Sequence, residues 1–311
     1  MPPFLHFAHI TDVHISEQEQ SWGTLGALAE RLLRKAIAQL NALDDLDFVL
    51  FTGDLLDLAT PPELERLTAA LGDLRKPWHL VPGNHDGYID PRHPEAYAPH
   101  EALPLIDPRM AHPSPEAQRA YWSRPVGEGV RLIGLDSRRP DTWAGEIGVE
   151  QLAWLMEELD AYRHDLILIA VHHPLHYLTP RNIAPWWSNF ICANGQQVEM
   201  LLDAFPNVRM VLSGHHHANH ITQRGSRLHI STGALGGYPC TYRTIRLEPL
   251  GDGWRVQIAT HSPADEEEHK LALDALLESS IARRYKADDP SAWAQFVLGR
   301  SEDRTFEGVL R

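Results

Sequence analysis

Short apolar runs recur along the chain, separated by longer stretches whose apolar residues fall at helical spacing. The runs "FLHFAHI" (4–10), "DFVLF" (47–51), "PWHLVP" (77–82), "VRLIGLD" (130–136), "DLILIAV" (165–171) and "VRMVLS" (208–213) are too short for helices and predict strands. The segments at 25–43, 61–74, 149–162 and 195–205 predict amphipathic helices, the second opening on two prolines whose missing amide donors cost nothing in a first turn. Strands alternating with helices predict an α/β fold with much parallel pairing. From 227 to 261, "SRLHISTGAL", "TYRTIRLEP" and "GWRVQIATH" predict consecutive antiparallel strands with "GDG" as a turn. The proline-rich stretch 91–117 reads as an irregular excursion, a loop or cap. A main domain is expected over 1–262, followed at 263–311 by a charged, helical C-terminal extension.

Composition narrows the class. With 311 residues, 43% of them hydrophobic, the chain can bury a sizeable core. No run approaches the ~20 apolar residues of a membrane span, and the opening "MPPFLHFAHITDVH" lacks an export signal, so a cytoplasmic address and no membrane partner are expected. The formal charge of −14, from 28 basic and 42 acidic residues, repels a nucleic-acid polymer but not a small phosphorylated substrate. Two cysteines, Cys192 and Cys240, make neither a disulfide scaffold nor a thiolate metal site, and free thiols are expected, with a disulfide or close thiol pair between them as the lesser alternative. The oligomeric state is left open, a homo-oligomer included. The oddity is 19 histidines.

Many of them follow the strand-like runs. "TDVH", "TGD", "PGNHD", "HHP" and "GHHH" come directly after five of those runs. Ligands of open α/β folds bind outside the carboxyl ends of strands, so five such groups can converge on one pocket. In an extended chain residues i and i+2 point the same way, which pairs Asp12 with His14 and His215 with His217 and turns Val13 and His216 aside. Asp54 can bridge two cations where an imidazole cannot, and Asn84 offers a neutral oxygen. His, Asp and Asn without Cys suit Mn, Fe, Co, Ni or Zn. Taken singly, each motif has an ordinary explanation as a turn, cap or solvated histidine. Their joint occurrence at five strand ends does not.

In this order and at these intervals, "DVH", "GD", "GNHD", "HH" and "GHHH" resemble the calcineurin-like metallophosphoesterase superfamily over residues 12 to 217, about two thirds of the chain. The resemblance implies a four-layer α-β-β-α sandwich of two mixed sheets and a binuclear centre. Carried over, it implies that Asp12, His14 and His217 hold one ion, that Asn84, His172 and His215 hold the other, and that Asp54 bridges them. It implies a catalytic, non-ligand His85 oriented by Asp86, with His173, Asn194, His216 and Tyr238 near the substrate. "GDLLDLA" and "GNHD" depart from the protein-phosphatase branch, and the region around "ICANGQQVEMLL" resembles the class III cyclic nucleotide phosphodiesterases and bacterial glycerophosphodiesterases.

The expected reaction is hydrolysis of a small phosphodiester, a cyclic nucleotide or a glycerophosphodiester, by in-line attack of a metal-bridging hydroxide, since two divalent ions roughly 3.5 to 4 Å apart lower the pKa of water. His85 would stabilise the transition state or protonate the leaving alkoxide. Arg181 is read as surface, with a substrate role as the lesser alternative. Trp186, Trp187, Phe190 and Tyr238 are read as pocket wall or core, His176 and His220 as rim or solvated. A phosphomonoesterase, a nucleotide pyrophosphatase, a nuclease disfavoured by charge, and a non-catalytic metal-binding scaffold are the competing readings.

Overall fold

A computed structural model describes residues 4–86, 92–111, 120–139, 142–251 and 253–311. The first half runs β1 (Leu5–Ile10), α1 (Gly26–Asn41), β2 (Phe48–Phe51), α2 (Pro61–Gly72), β3 (Trp78–Leu80), α3 (Pro99–Ile106), β4 (Trp122–Gly127), β5 (Val130–Leu135) and α4 (Val149–Ala161). It continues through β6 (Leu166–Val171), α5 (Gly195–Asp203), β7 (Val208–Ser213), β8 (His220–Arg224), β9 (Arg227–Ser231), β10 (Tyr242–Leu250) and β11 (Gly253–His261). It closes with α6 (Glu266–Glu278), α7 (Ser280–Tyr285), α8 (Ser291–Leu298), α9 (Ser301–Arg304) and β12 (Thr305–Leu310).

Strand alternation builds the layers. In β1, Leu5 and Phe7 join an apolar cluster with Leu132, Leu168, Met210 and Ile230 of the other sheet, while Ala8 and Ile10 turn the opposite way onto α1. One sheet has the order β12-β11-β10-β1-β2-β3, parallel at β1/β2/β3 and antiparallel elsewhere. The other has β4-β5-β6-β7-β9-β8, parallel from β5 to β9 and antiparallel at its edges. Helices cover both outer faces: α1, α2 and α3 against the first sheet, α4 and α5 against the second. The α-β-β-α sandwich of mixed sheets is therefore the fold.

Local chemistry sets the helix faces. α1 buries Leu28, Leu32, Leu33, Ala36, Ile37 and Leu40, a stripe at spacings of three and four. α2 starts at Thr60, whose hydroxyl accepts from Glu63 N while the Glu63 carboxylate accepts from Thr60 N, with Pro61 at the first helical position.

Three expectations are corrected. β9 does not pair with β10: it lies between β7 and β8 in the other sheet, because the loop after Ser231 crosses the sandwich. The excursion is not wholly irregular, since α3 buries Ala102, Leu103 and Ile106 in the outer core; residues 91 and 112–117 of that call lie outside the described residues. The C-terminal 263–311 segment is no appended tail. Ala272, Leu276, Ile281, Trp293 and Val297 belong to the largest apolar cluster, and β12 completes the first sheet.

The sheets are also joined by polar groups. His9 of β1 contacts Thr52 Oγ1 and Thr232 Oγ1, each at 2.8 Å. Arg243 of β10, fully buried, donates to Thr232 Oγ1 (3.1 Å), Asn219 Oδ1 (3.2 Å) and the carbonyls of Ser231 (3.2 Å) and Asp303 (2.7 Å). Removing that guanidinium strands several buried acceptors at once. Arg243→Met is expected to lower unfolding stability by about 3 kcal/mol, read from the urea midpoint at unchanged m-value; a shift under a third of that would show the acceptors find other donors.

Candidate metal centre

The five motifs meet because their loops are stitched together. Asp12 N donates to Gly53 O and His14 N to Asp54 O, both at 3.0 Å, and Gly214 N donates to His172 O at 3.0 Å. The ligand-type residues leave their strands through left-handed backbone, with φ of +51° at Asp12, +52° at His14, +52° at Asp54, +63° at His215 and +54° at His217. Left-handed turns, not strand alternation, thus aim these side chains, and His215 and His217 go to different groups. Two glycines allow the close approach: a Cβ on Gly83 would collide with the Asp54 carboxylate, and one on Gly214 with Thr11 Oγ1 and the Asp12 carboxylate.

Asp12, His14 and His217 form the first group. His217 Nε2 lies 3.1 Å from His14 Nε2 and 3.4 Å from Asp12 Oδ1. In the second, His172 Nε2 lies 3.1 Å from Asp54 Oδ2 and 3.2 Å from His215 Nδ1. Asp54 Oδ2 is also 3.7 Å from His14 Nε2, which sets this carboxylate between the groups. His172 Nδ1 lies 2.6 Å from the Thr52 carbonyl and His215 Nε2 lies 3.0 Å from that of Asn189. Donation to those carbonyls leaves lone pairs on the two nitrogens that face each other. Asn84 Oδ1 is buried with no hydrogen-bond partner. An orphaned amide oxygen beside converging imidazole nitrogens and carboxylates, all nitrogen and oxygen donors, fits divalent cations.

Protons occupy some of these sites when cations do not. Burial alone would depress His14, but Asp57, whose Oδ1 is 3.6 Å from Nδ1, together with Asp54 and Asp12, raises it to about 9. His172 is likewise pulled up to about 9 against burial, chiefly by Asp54. Burial and the neighbouring imidazoles hold His215 and His217 well below the ordinary histidine value. Burial pushes Asp12 up, while His172, His85 and His14 outweigh burial at Asp54 and hold it far below the usual carboxylate range.

His85 edges onto His14, with ring centroids 4.8 Å apart, and its side chain keeps 25% exposure toward a cleft of about 660 Å³. The expectation that Asp86 orients it is corrected. The Asp86 carboxylate accepts from the backbone N of Leu55, Leu56 and Gly83 and so ties two ligand loops together. His85 Nδ1 instead lies 2.7 Å from the Asp57 carbonyl and 3.5 Å from Asp57 Oδ1. Sequence reasoning missed Asp57, although a second buried-type carboxylate three residues after Asp54 in "GDLLDLA" was the available signal.

The substrate-side expectations fare differently. His173 is fully buried with Nδ1 2.8 Å from Ser137 Oγ and Nε2 3.1 Å from the Trp143 carbonyl, so neither nitrogen is left for an ion or substrate. Asn194 exchanges two hydrogen bonds with the Ile147 backbone and does not line the cleft. Tyr238 is buried against His269 and does not line the cleft. His216 reaches the cleft but is held by Asn182, Phe190, Trp293 and Phe296. Trp186 and Phe190 line the cleft, whereas Trp187 packs in the core and Arg181 lies over Tyr285. His220 pairs with Asp303 at 3.2 Å and His176 packs against His229. Cys192 and Cys240 are buried free thiols, each pushed up to about 12 by burial.

A two-sheet α/β sandwich with paired histidine and carboxylate groups over its strand ends defines a class of metal-dependent phosphoesterases. Residues 5–219 match the calcineurin-like phosphoesterase family, and the chain belongs to that family, whose members use divalent metals. It is 30% identical over 223 residues to a 3',5'-cyclic-nucleotide phosphodiesterase of Nostoc sp., covering 71% of this chain and 74% of that one. It is 26% identical over 224 residues to a glycerophosphodiester phosphodiesterase of Enterobacter lignolyticus, covering 70% and 72%. A dimetal phosphatase from Danio rerio shares the fold with a TM-score of 0.63 at 18% identity, over 84% of this chain and 97% of that one.

Cations and protons compete for His14 and His172. Below about 9 both imidazoles are protonated in the metal-free chain, so metal uptake must release those protons. Apparent affinity for Mn2+ is expected to rise steeply from pH 6 to about 9 and then flatten, with proton release at pH 7 seen by calorimetry in buffers of different ionisation enthalpy. An affinity independent of pH would remove these two histidines as ligands.

Proposed function

We propose that this protein is a binuclear metal-dependent phosphodiesterase hydrolysing small diesters such as cyclic nucleotides or glycerophosphodiesters. The observation that carries this reading is the pair of ligand groups sharing Asp54 at the floor of a cleft, with an unburied His85 beside them. The relatives named for those two substrate classes support it.

In this reading Asp12, His14 and His217 would hold one ion and Asn84, His172 and His215 the other, with Asp54 shared. The donor set admits Mn, Fe, Zn, Co or Ni. When bound, two such cations lower the pKa of water toward neutrality and draw charge from phosphoryl oxygens. The chain does the rest. Thr11 Oγ1, at 2.9 Å, and the His215 amide, at 3.0 Å, donate to Asp12 Oδ2 and fix its carboxylate. The His85 amide donates to Asp54 Oδ1 at 2.8 Å, leaving Oδ2 toward the imidazoles. With Nδ1 anchored on the Asp57 carbonyl, His85 presents Nε2 to the substrate and can hand a proton to the leaving alkoxide.

Charge favours a diester over a monoester. Among the described residues, the cleft lining carries a single Arg or Lys, Arg92, where a dianionic monoester calls for more. The charge of −14 counts against polymeric nucleic acid, and among the described residues no helix is long and apolar enough to cross a membrane. A cytoplasmic address is part of this reading, supported by the two free thiols.

A metal-supplemented panel of bis(p-nitrophenyl) phosphate, p-nitrophenyl phosphate, cyclic AMP and glycerophosphocholine tests the class. Diesters are expected to be preferred; a preference for the monoester, or inactivity with metal bound, would sink it. Asp54→Ala should lose both metals and nearly all turnover, and full metal content in that variant would refute its shared role. His85→Ala should keep its metals while turnover drops about 10²- to 10⁴-fold, most on poor leaving groups; normal rates on a natural diester would remove His85 from the chemistry.

A further inference from the structure

The turn at the cleft mouth breaks a local rule. Ser21 N and Thr24 O are 3.0 Å apart and Thr24 N and Ser21 O 2.7 Å apart, closing a two-residue turn over Trp22 and Gly23. Their φ values of +49° and +94° are of the kind demanded by a type I′ turn, whose first central position suits Asn, Asp or Gly. A bulky indole there is disfavoured. The same indole is 56% exposed, so the fold gains little from burying it.

The surroundings nonetheless hold the turn rigidly. Ser21 Oγ donates to Asp57 Oδ1 at 3.2 Å, the carboxylate that also faces His14 and His85. Gln20 Nε2 donates to the Ala275 carbonyl of α6 at 2.9 Å, and Thr24 bridges to Gly237. A Cβ on Gly23 would crowd Leu276, so α6 backs the turn. Strain maintained by so many contacts, at a residue the core does not use, points to function.

Trp22 lines the same cleft as His14 and His85. Beside the second ligand group, the cleft is walled by Trp143 and Phe190, whose ring centroids are 6.1 Å and 5.6 Å from His215, and by Trp186, 5.6 Å from Trp143. Aromatic surfaces therefore line the cleft that both ligand groups share, and Gln18 and Ser280 add polar edges to it. A flat ring gains from an indole face in a way that a glycerol arm cannot.

We propose that Trp22 is a specificity-determining residue that receives one organic arm of the diester against its indole, and that the arm it selects is planar, a nucleobase or aryl group. This rests on the phosphodiesterase reading of the cleft. It adds a preference between the two substrate classes, and a residue outside the five motifs that sets it.

The test uses the full-length, Mn2+-loaded protein and two product-like ligands, 5'-AMP and glycerol 3-phosphate, titrated calorimetrically into wild type, Trp22→Gly and Trp22→Phe. Glycine suits a positive φ, so the melting temperature of Trp22→Gly should not fall. Trp22→Gly is expected to weaken 5'-AMP about tenfold, the size of one base–aromatic stack, to change glycerol 3-phosphate less than twofold, and to lose cyclic AMP turnover through KM rather than kcat. Trp22→Phe should restore most of the 5'-AMP affinity. Equal losses for both ligands, or none, would overturn the assignment. A wild type that binds 5'-AMP through Trp22 yet hydrolyses no diester would instead overturn the phosphodiesterase reading and leave the planar-arm slot standing.

Discussion

The structure depends on burying carboxylates and imidazoles together. Asp12, Asp54 and His172 are almost wholly buried, and His14 Nε2 and His217 Nε2 face each other at 3.1 Å. Such an arrangement is unfavourable unless positive charge lies between the groups. Five of its side chains hang from left-handed backbone, at about 1 kcal/mol or more each. Together that approaches the lower end of a domain's whole net stability, about 5–15 kcal/mol. The remainder of the molecule has to impose this geometry, which explains why β1, β2, β6 and β7, four of the five strands feeding the centre, lie inside their sheets with apolar packing on both faces, while β3 takes the edge.

Behind each ligand atom stands a group that fixes it. Thr52 and Asn189 carbonyls settle which nitrogen of His172 and His215 is bare, and Thr11 and the His215 amide pin Asp12. Asp86 binds three backbone amides of two ligand loops, so its carboxylate acts on the frame rather than on the reaction. Asp57 has the opposite character. It faces His14 and His85, and through Ser21 it also touches the turn that carries Trp22. One buried carboxylate thus links the first ligand group, the exposed imidazole and the cleft mouth.

What the residues alone reveal follows the same division. Six apolar runs and four amphipathic stretches read directly as strands and helices because burial dictates their periodicity, and five ligand motifs at strand ends are visible as coincidences of residue type. Elements with weak periodicity were not legible. β4 carries Pro125, and β8 is half exposed as an edge strand, its polar residues offering no alternation. The placement of β9 beside β7 depends on a loop crossing between sheets, which no local pattern encodes. Alternation paired Asp12 with His14 on the premise of an extended chain, whereas φ is positive at both. The roles of Asp57 and Asp86 stayed hidden for a related reason: which of two nearby carboxylates meets an imidazole is decided by loop geometry tens of residues apart.

The C-terminal segment shows how far outside the motifs the centre is supported. Asn219, two residues after His217, donates from its amide to Val297 O at 2.9 Å and accepts from Arg243, which also reaches Asp303 O. Asp303 Oδ1 accepts from Ile221 N at 3.2 Å and pairs with His220. Trp293 and Phe296 of α8 rest on His216, between the two ligand histidines of the loop. A Cβ on Gly299 would collide with the Asn219 carbonyl, so α8 ends in backbone contact with the ligand loop itself. Residues 293–303 therefore act as a clamp on residues 215–221 although they contribute no ligand. The family match ends at residue 219, inside the clamped segment. The left-handed His215 and His217 are held from both sides: by the Asp12 and His172 loops on one and by α8 and α9 on the other.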